Sequence, residues 1–386
     1  MITIAFLISS TALLLAAGYA ALLRQAIRVW RRIPETAIDD SWRPQTRISV
    51  LIPARNESEN IGACLESVLK QAYPPELTEV IVIDDHSEDE TAAMVRAVRD
   101  PRLKLLQLAD FPEYLLPEVA LKKQAVTLGV HRAGGELIVC TDADCIVPAD
   151  WLRYHAWCFE RGNCLFTGGP VNFFRESSLL ERFQSLDYLG MMLLTGTGIF
   201  TGHFHLSNGA NLSYSRKAFL DAGGYEDNRH LGSGDDWLLS MKMAKRFPGR
   251  IQFLKNAAAV VRTRAMPTLR TFIRQRKRWA SKSGAYHQWR LVGTQGLVFL
   301  LCWSLLLGLI ALPWAGSLAL SLLLVAWTVK GLADYFFLRE GAVFFDRKDL
   351  LQSYMQAQFL HVLYFAGIGL AGLFFRQYQW KGRVSR

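Results

Sequence analysis

The chain has 386 residues, of which 51% are hydrophobic and 20% are charged, and its formal net charge is +10. This length allows one large domain or two domains of average size, and the apolar residues gather in long uncharged runs, which is typical of a membrane protein rather than of a wholly soluble one. The six cysteines form no Cys-x-x-Cys pair, so the sequence indicates neither a zinc site nor a disulfide framework.

The first uncharged run covers residues 2–23. At about 1.5 Å per residue, a helix of this length is roughly 33 Å long, which is enough to cross a bilayer. A cleaved signal peptide is the alternative, but the run has no basic segment before it and Arg24 follows it directly. Further arginines in the next residues predict that this end of the helix faces the cytoplasm. The soluble part that follows is then expected to be cytoplasmic.

Residues 44–150 alternate between strand-like and helix-like runs. Four short β-rich runs occur in this order: RISVLI, EVIVID, RLKLLQL and ELIVCT. Helical stretches separate them; one covers Lys122 to His131, and another follows Ser87 and Glu90, which have the spacing of a capping box. The alternation predicts βαβ units and an α/β fold, Rossmann-like, with a mostly parallel mixed sheet.

Polar clusters follow three of these strands, with the sequences ARNE, DDHS and TDADC. Ligands of such sheets bind beyond the carboxyl ends of the strands, so we expect the three clusters to meet at one edge. Asp142 and Asp144 can point to the same side, where two carboxylates repel each other unless a cation lies between them. Mg²⁺ or Mn²⁺ prefers such oxygen ligands and bridges carboxylates to phosphates. An Asx turn or a helix cap is the alternative reading of this pair.

Two further groups near the strand ends could contact a ligand. Asp84 and Asp85 follow the second strand, and one of them could accept hydrogen bonds from a base or a ribose, while capping of the next helix would explain the other. Lys122 and Lys123 start a helix, where the helix dipole disfavours cations, so they indicate an anionic partner. A pair of exposed surface lysines is the alternative.

Two motifs in the second half of the chain also carry chemistry. In GSGDDWLL, Asp235 and Asp236 precede a helix; the helix dipole accounts for one acid, and the other could be a general base. In QRKRW, residues Gln275, Arg278 and Trp279 occupy neighbouring positions on one face of a cationic amphipathic helix. Arginine suits phosphate, and an indole suits either a sugar face or the membrane interface, so anchoring at the interface alone is the alternative.

Basic residues dominate the stretch from 237 to 290, which contains fourteen Lys or Arg and no Asp or Glu. Part of this excess fits the positive charge expected on the cytoplasmic side of a membrane protein. The rest indicates an acidic ligand, either the phosphates of a substrate or anionic lipid headgroups. No nucleic acid partner is expected, because the stretch leads directly into an apolar run.

Three more uncharged runs follow, at 291–314, at 315–329, where Lys330 ends the run, and at 351–375. The tail at 376–386 is basic and contains no acid, so it should be cytoplasmic. Four full spans from an outside N-terminus would leave this tail outside. Either the last run is re-entrant or interfacial, or one span is miscounted.

The motifs occur in the order typical of a known family. VLIPARNE, VIVIDDHSEDET, LKKQAVTLGV, TDADC, NGANLSYSRKAF, GDDWLL and QRKRW lie between residues 47 and 279. This chain resembles family 2 glycosyltransferases with a GT-A core, in the membrane-integrated branch that includes ceramide glucosyltransferases and cellulose, chitin and hyaluronan synthases. The resemblance is specific for the family but not for the substrate.

The resemblance implies a role for each motif. Asp85 is similar to the aspartate that binds the base in a V-D-D-G-S motif, where His86 here replaces the glycine. Asp142 and Asp144 resemble the D-x-D pair, with Asp144 as the direct ligand of a divalent metal, Mg²⁺ or Mn²⁺. Asp236 matches the general base. The remaining predicted contacts are, for the donor, Pro53, Arg55, Glu57, Lys122 and Asp142, and, for the acceptor and diphosphate, Asp235 (in place of the more usual glutamate), Gln275, Arg278 and Trp279.

The resemblance also implies the domain organisation. We expect an integral protein of a bacterial inner (plasma) membrane, with a cytoplasmic GT-A domain flanked by transmembrane helices. The predicted segments are an N-terminal transmembrane helix at 1–23, a basic linker at 24–43, the GT-A domain at 44–266, an amphipathic interfacial helix at 267–290, membrane helices at 291–375 and a basic tail at 376–386.

The implied activity is inverting glycosyl transfer from a nucleotide-diphosphate sugar, expected to be UDP-linked, to a hydroxyl of a membrane-lipid acceptor. A processive polysaccharide synthase is the alternative within the same class. Two readings from other classes stay open: a catalytically inactive membrane scaffold and a sugar nucleotidyltransferase.

Overall fold

The computed structural model of the protein describes residues 1–116, 119–228, 234–280, 289–374, 378–380 and 383–385. Residues 229–233, residues 281–288 of the predicted interfacial helix and much of the predicted basic tail lie outside the described residues. The chain forms two compact units. The membrane unit comprises Met1–Ile33, Arg175–Thr197 and Ala265–Trp380, and the sheet unit comprises Pro34–Phe174, Gly198–Arg264 and Lys381–Arg386.

The secondary structure contains both helices and strands in alternation. The helices are α1 (Ile2–Arg32), α2 (Ile61–Leu69), α3 (Thr91–Ala97), α4 (Leu121–Arg132), α5 (Trp151–Glu160), α6 (Leu179–Thr201), α7 (Arg216–Asp221), α8 (Trp237–Arg246), α9 (Leu269–Ala280), α10 (Trp289–Ile310), α11 (Ser317–Phe344) and α12 (Tyr354–Phe374). The strands are β1 (Ile48–Ala54), β2 (Thr78–Asp84), β3 (Leu103–Gln107), β4 (Leu137–Cys140), β5 (Phe166–Gly168), β6 (Val171–Phe173), β7 (Leu212–Ser215), β8 (Ile251–Phe253), β9 (Val261–Thr263), β10 (Tyr378–Trp380) and β11 (Arg383–Ser385).

The sheet unit is built on a seven-stranded sheet with the order β3-β2-β1-β4-β7-β5-β8. The four strands predicted from the sequence, β3, β2, β1 and β4, are parallel neighbours, whereas β7 runs antiparallel to both β4 and β5. Strands β6 and β9 form a separate parallel pair. The mostly parallel mixed sheet predicted from the sequence is therefore confirmed.

The parallel register brings the polar loops to one edge of the sheet. In β1, every residue except Pro53 is buried, and α4 packs its Gly129 against Leu51 of β1 and Ile83 of β2. Ala54 at the end of β1 pairs with Asp84 at the end of β2, and Cys140 at the end of β4 pairs with Leu51. The loops that follow β1, β2 and β4 consequently leave the sheet on the same side.

The predicted capping box at Ser87 and Glu90 is wrong. Helix α3 begins at Thr91, and its N-cap residue Glu90 makes no side-chain capping bond. Instead, the Asp89 carboxylate accepts the backbone amide of Thr91 at 3.0 Å and that of Ser58 at 3.0 Å. One aspartate therefore satisfies amides from two segments, and a motif based on residues within one segment does not predict this arrangement.

Helix α1 extends beyond the predicted span at 1–23 and includes Arg24–Arg32, so the predicted linker is helical in its first part. Arginine is a good helix former, and the helix ends where Ile33 precedes Pro34, a position that disfavours helical geometry. The Arg31 guanidinium also forms an ion pair with Glu340 of α11 at 2.5 Å, which holds the last turn.

In the part of the chain that the structure describes, three helices are long and apolar enough to cross a membrane, by length and composition: α1, α10 and α11. Among the described helices, α12 is not one of these three, and a re-entrant or interfacial position of the run at 351–375 stays a prediction. The helix that contains the third uncharged run does not end at Lys330. Helix α11 continues to Phe344, because buried Lys330 pairs with Asp334 one turn later, at 2.6 Å.

Most of α6 belongs to the membrane unit, although it falls inside the predicted 44–266 domain. Its Phe183 packs edge-on against Phe272 of α9 and Tyr364 of α12, with ring centroids 6.0 Å and 5.7 Å away. Its Leu189 lies beside Gly341 of α11, where an added Cβ would come 3.2 Å from the leucine Cβ. The predicted domain bounds remain a prediction, and the compact units depart from them at this helix.

Candidate active site

An ammonium group held by two carboxylates lies at the strand-end edge of the sheet. The Lys122 Nζ, from the first turn of α4, is 2.9 Å from Asp142 Oδ1 and 3.0 Å from Asp235 Oδ2. Asp142 lies in the loop after β4, whereas Asp235 lies two residues before Trp237, the first residue of α8. Three separate segments of the chain thus converge on one ion-pair cluster, in which only Asp142 belongs to the strand-end loops that the sequence analysis expects to meet.

The charges around Lys122 keep it protonated. Burial alone would lower the pKa of Lys122, but the carboxylates of Asp142, Asp235 and Asp236 outweigh burial and raise the pKa well above its ordinary value. The Lys122 side chain nevertheless keeps 26% of its surface exposed, and that of Asp142 keeps 35%. This cluster can therefore exchange its internal partners for an incoming charged ligand.

Asp236 is oriented by two backbone amides. It is the N-cap residue of α8, and its Oδ1 accepts the amide of Trp237 at 2.8 Å. Its Oδ2 accepts the amide of Gly209 at 3.2 Å. Asp235 points its carboxylate to Lys122, and the hydroxyl of Tyr225 donates to the Asp235 carbonyl at 3.0 Å. The two adjacent aspartates thus have different partners, so they can play different roles.

A metal ligand set is present at the loop after β4. One oxygen each of Asp142 and Asp144 and the thiol sulfur of Cys145 lie within 4.8 Å of one another. The two carboxylates fit the oxygen preference of Mg²⁺ and Mn²⁺. Cys145 is buried, its pKa is raised by burial, and it contacts Asp144 Oδ1 at 3.5 Å, so a neutral thiol supports the Asp144 carboxylate. The donor set therefore suits a hard divalent cation.

The loop after β2 contains a buried aspartate beside a residue in an unusual conformation. Burial raises the pKa of Asp85, and its Oδ1 lies 3.1 Å from His86 Nδ1. His86 has a φ of +55°, in the left-handed region that favours glycine, which explains why a glycine would be usual at this position. The Arg55 guanidinium donates to the carbonyls of Asp85 and His86 at 3.1 Å and 3.3 Å, so it supports this loop.

A partly open pocket contains the ion-pair cluster. Residues lining it include Pro53, Lys122, Asp142, Gly209, Tyr225 and Asp235. Of the other residues predicted to bind the donor, Glu57 accepts the side-chain amide of Asn60 at 2.9 Å and so fastens the start of α2. Pro53 therefore lies at the cluster itself, whereas Arg55 and Glu57 also shape the loops that surround it.

Two family models match the chain. The model described as "Glycosyl transferase family 2" matches residues 49–220, and the one described as "Glycosyl transferase family group 2" matches residues 137–338, which is more than half of the chain. The chain belongs to glycosyltransferase family 2. The family predicted from the motifs is therefore confirmed.

Curated relatives match part of this glycosyltransferase. The poly-beta-1,6-N-acetyl-D-glucosamine synthase of Staphylococcus aureus (strain COL) is 28% identical over 179 residues, covering 46% of this chain and 41% of that protein. Glycosyltransferase AglE of Haloferax volcanii is 29% identical over 147 residues, covering 37% of this chain and 46% of that protein. The match thus spans less than half the length of each of these relatives.

A solved structure is similar over nearly the whole glycosyltransferase. The mannosyltransferase PcManGT from Pyrobaculum calidifontis, in complex with GDP-Man and Mn²⁺, has a TM-score of 0.57 and is 20% identical, covering 94% of this chain and 99% of its own. At this identity the similarity shows the fold alone. The predicted fold class is confirmed: a GT-A domain with candidate membrane-spanning helices on both sides of it in the sequence.

The Q-x-x-R-W residues of the glycosyltransferase lie on α9, in the membrane unit, and their predicted part in acceptor and diphosphate binding stays a prediction. The Trp279 ring lies 6.0 Å from that of Tyr188 and 4.3 Å from the guanidinium carbon of Arg276. Arg276, which the sequence analysis passed over, is buried and forms an ion pair with Asp187 of α6 at 2.9 Å. The sequence gives no sign that Arg276 is buried, because it lies among many other basic residues in a helix whose pattern indicates an exposed cationic face.

Sequence reasoning also missed two residues at the ion-pair cluster. Gly209 brings its backbone so close that an added Cβ would lie 3.3 Å from Lys122 Nζ, and its amide binds Asp236. Tyr225 lines the pocket and holds the Asp235 backbone. Gly209 lies in the NGAN motif just before a strand, and a glycine at such a position can indicate that the backbone comes close to another group. Nothing in the sequence distinguishes Tyr225 from a core tyrosine.

Proposed function

We propose that this glycosyltransferase moves a sugar, with inversion, from a nucleotide-diphosphate donor to a hydroxyl of a membrane lipid. The observation that carries the proposal is the Lys122 ammonium, held between Asp142 of the D-x-D pair and Asp235 of the acidic pair. One cluster therefore joins the groups expected at the leaving diphosphate to those expected at the attacking hydroxyl. The family supports a UDP-sugar as the first donor to test, and the GDP-Man bound to PcManGT makes a GDP-sugar the second.

Asp144 and Asp142 would hold a divalent metal, Mg²⁺ or Mn²⁺. The Mn²⁺ in the PcManGT complex supports this part of the proposal. When bound, such an ion neutralises charge that develops on a departing diphosphate. Lys122 adds a positive charge to the same place, and its raised pKa keeps it charged.

Asp236 is the general base of the proposed reaction. Its orientation is fixed by the amides of Gly209 and Trp237, which keeps a carboxylate aimed without help from a mobile side chain. A carboxylate oxygen takes the proton of the acceptor hydroxyl while the hydroxyl oxygen forms a bond to C1 of the sugar. The bond from C1 to the diphosphate oxygen breaks on the opposite face, and the nucleoside diphosphate leaves with the electron pair.

The membrane helices support a lipid acceptor. Among the described residues, three helices are long and apolar enough to cross a membrane, and the arginines at the end of α1 favour a cytoplasmic catalytic domain in a bacterial inner (plasma) membrane. The alternative is processive polysaccharide synthesis, which the similarity to a poly-N-acetylglucosamine synthase favours. Sizing the product made by membranes from a labelled donor separates the two: one or two added sugars supports the lipid acceptor, and long chains support the synthase.

The Asp236→Asn variant tests the proposed base. It should lower transfer by about 100-fold or more, because an amide cannot accept the proton, while the affinity for the nucleoside diphosphate stays close to wild type. Release of UDP or GDP from sugar donors, measured with membranes, reports transfer. Asp227→Asn is the matched control, because Asp227 is an exposed carboxylate paired with Lys242. Full activity of Asp236→Asn would refute the assignment.

The identity of the released product, together with a nucleotide-binding measurement, separates the other classes of function. Release of pyrophosphate instead of a nucleoside diphosphate would indicate a sugar nucleotidyltransferase. Failure to bind any nucleotide, with or without Mn²⁺, would favour a catalytically inactive scaffold. Nucleoside diphosphate released only in the presence of an acceptor membrane supports glycosyl transfer.

A further inference from the structure

We infer that Lys122 is an internal counter-cation of the metal site, which competes with the divalent ion for Asp142 until a nucleotide diphosphate binds. The inference rests on the proposed function, in which Lys122 contacts the donor. It adds a reason why metal and nucleotide would bind together rather than metal alone. It predicts that the enzyme binds metal weakly by itself and strongly together with nucleotide.

The Asp142 carboxylate could bind either Lys122 or a divalent ion. Asp142 Oδ1 already contacts the Lys122 ammonium at 2.9 Å, and the same residue lies in the oxygen cluster with Asp144 that suits a divalent ion. An ion bound by Asp142 would therefore be a near neighbour of the ammonium. Two positive groups at short range in a partly buried site repel each other strongly, so the bound lysine lowers the affinity for metal.

Lys122 has a second ion-pair partner besides Asp142. Its ammonium also contacts Asp235 Oδ2 at 3.0 Å, and only 12% of the Asp235 side chain is exposed. Lys122 can release Asp142 and keep Asp235, so its charge remains compensated. Gly209 bounds the space around the ammonium, since an added Cβ there would lie 3.3 Å from it. The lysine thus moves between fixed partners rather than into solvent.

A diphosphate brings negative charge to this edge of the sheet and gives the ammonium a new partner, so the repulsion between lysine and metal is offset. Metal and nucleotide then strengthen each other's binding, and by linkage each does so by the same factor. A lysine that only contacted the donor would not lower the affinity for metal in the nucleotide-free enzyme.

The test is a titration of the full-length, detergent-solubilised protein with Mn²⁺ alone. Electron paramagnetic resonance measures the free Mn²⁺ at each point of the titration. We expect Lys122→Met to bind Mn²⁺ at least about tenfold more tightly than wild type without nucleotide. Lys122→Arg, which keeps the charge, should bind like wild type. Lys122→Gln is a second neutral variant in case Lys122→Met does not fold, and thermal unfolding checks each protein.

Two controls locate the effect. Lys104→Met removes a lysine that pairs with Glu79 at 2.7 Å on another part of the sheet unit, and it should leave Mn²⁺ affinity unchanged. Asp144→Asn should weaken Mn²⁺ binding further in the wild-type background and abolish the tighter binding of Lys122→Met, because it removes a proposed ligand. A repeat with saturating UDP should show the gap between wild type and Lys122→Met shrink.

The outcomes distinguish this inference from the proposed function. Tighter Mn²⁺ binding by the neutral variants, lost with Asp144→Asn, supports the inference. Unchanged or weaker binding by both neutral variants, with Asp144 still required, overturns the inference and leaves the proposed metal site standing. Absence of Mn²⁺ binding in every variant, with and without UDP or GDP, overturns both.

Discussion

Two lysines of this glycosyltransferase pair with carboxylates in very different surroundings. Lys122, at the strand-end edge of the sheet unit, faces Asp142 and Asp235 and keeps about a quarter of its side chain exposed. Lys330, in α11 of the membrane unit, is fully buried and pairs with the single carboxylate of Asp334 at 2.6 Å. The first group carries surplus negative charge around it, whereas the second is neutralised within its own helix.

The remaining partners widen this difference. Around Lys330, the amide oxygen of Gln358 accepts at 2.9 Å, the Gln358 amide nitrogen donates to Asp334 at 2.8 Å, and the hydroxyl of Tyr19 donates to Asp334. These groups come from α1, α11 and α12, so the buried network ties three helices together. A satisfied network of this kind stabilises one arrangement, while an accessible cluster with excess charge can bind a ligand.

The largest effect on stability should follow from breaking the membrane network. Lys330→Met leaves the Asp334 carboxylate buried without its cation, and we expect a loss of about 3–5 kcal/mol in the free energy of unfolding. Thermal unfolding in detergent measures the change. The double variant Lys330→Met, Asp334→Asn should recover part of it, since no charge is then left unpaired. An unchanged unfolding midpoint for the single variant would contradict the structural role of Lys330.

Asp144→Asn should affect activity strongly and stability little, the reverse of what we expect for Lys330→Met. Loss of a proposed metal ligand should reduce transfer by about 100-fold or more, which corresponds to about 2.7 kcal/mol in transition-state stabilisation. Stability should change by no more than about 0.5 kcal/mol, because the side chain is partly exposed. Asp150→Asn, at a nearby carboxylate paired with Arg153, is the control. Equal activity of the two variants would remove Asp144 from the site.

A smaller effect is expected at the loop after β2. His86 has a φ of +55°, so His86→Val should lower the free energy of unfolding by about 1–2 kcal/mol, because a β-branched residue tolerates this conformation poorly. His86→Gly should cost less than half of that. Chemical unfolding of the two variants measures the difference. A valine variant as stable as the glycine variant would show that the backbone conformation at this position is not as described.

Much of the sheet unit is predictable because its determinants are local. Apolar strand runs, turn residues and the polar clusters behind them lie within a few residues of each other, and parallel topology then places those clusters together. Lys122 is different, since Asp142 and Asp235 are distant in sequence and nothing in their spacing indicates a shared cation. The sequence therefore predicts which edge is functional, but it does not predict how charges are shared there.

The membrane unit was harder to predict for a related reason. Lys330 interrupts an apolar run, and a charge at such a place resembles the end of a helix, although Asp334 four residues later was a sign of an ion pair within one helix. Most of α6 packs with the membrane helices because of partners such as Phe272 and Arg276, which lie far along the chain. Long-range packing of this kind leaves no trace in local periodicity.

An experimental structure of the protein with Mn²⁺ and UDP, or GDP if UDP does not bind, would show where the donor lies. We expect the metal at about 2.0–2.2 Å from a carboxylate oxygen of Asp144 and the diphosphate beside Lys122, with Asp236 facing open space for an acceptor. A nucleotide bound elsewhere, with the Asp142–Asp144 turn free of metal and Lys122 still between Asp142 and Asp235, would refute the proposed site.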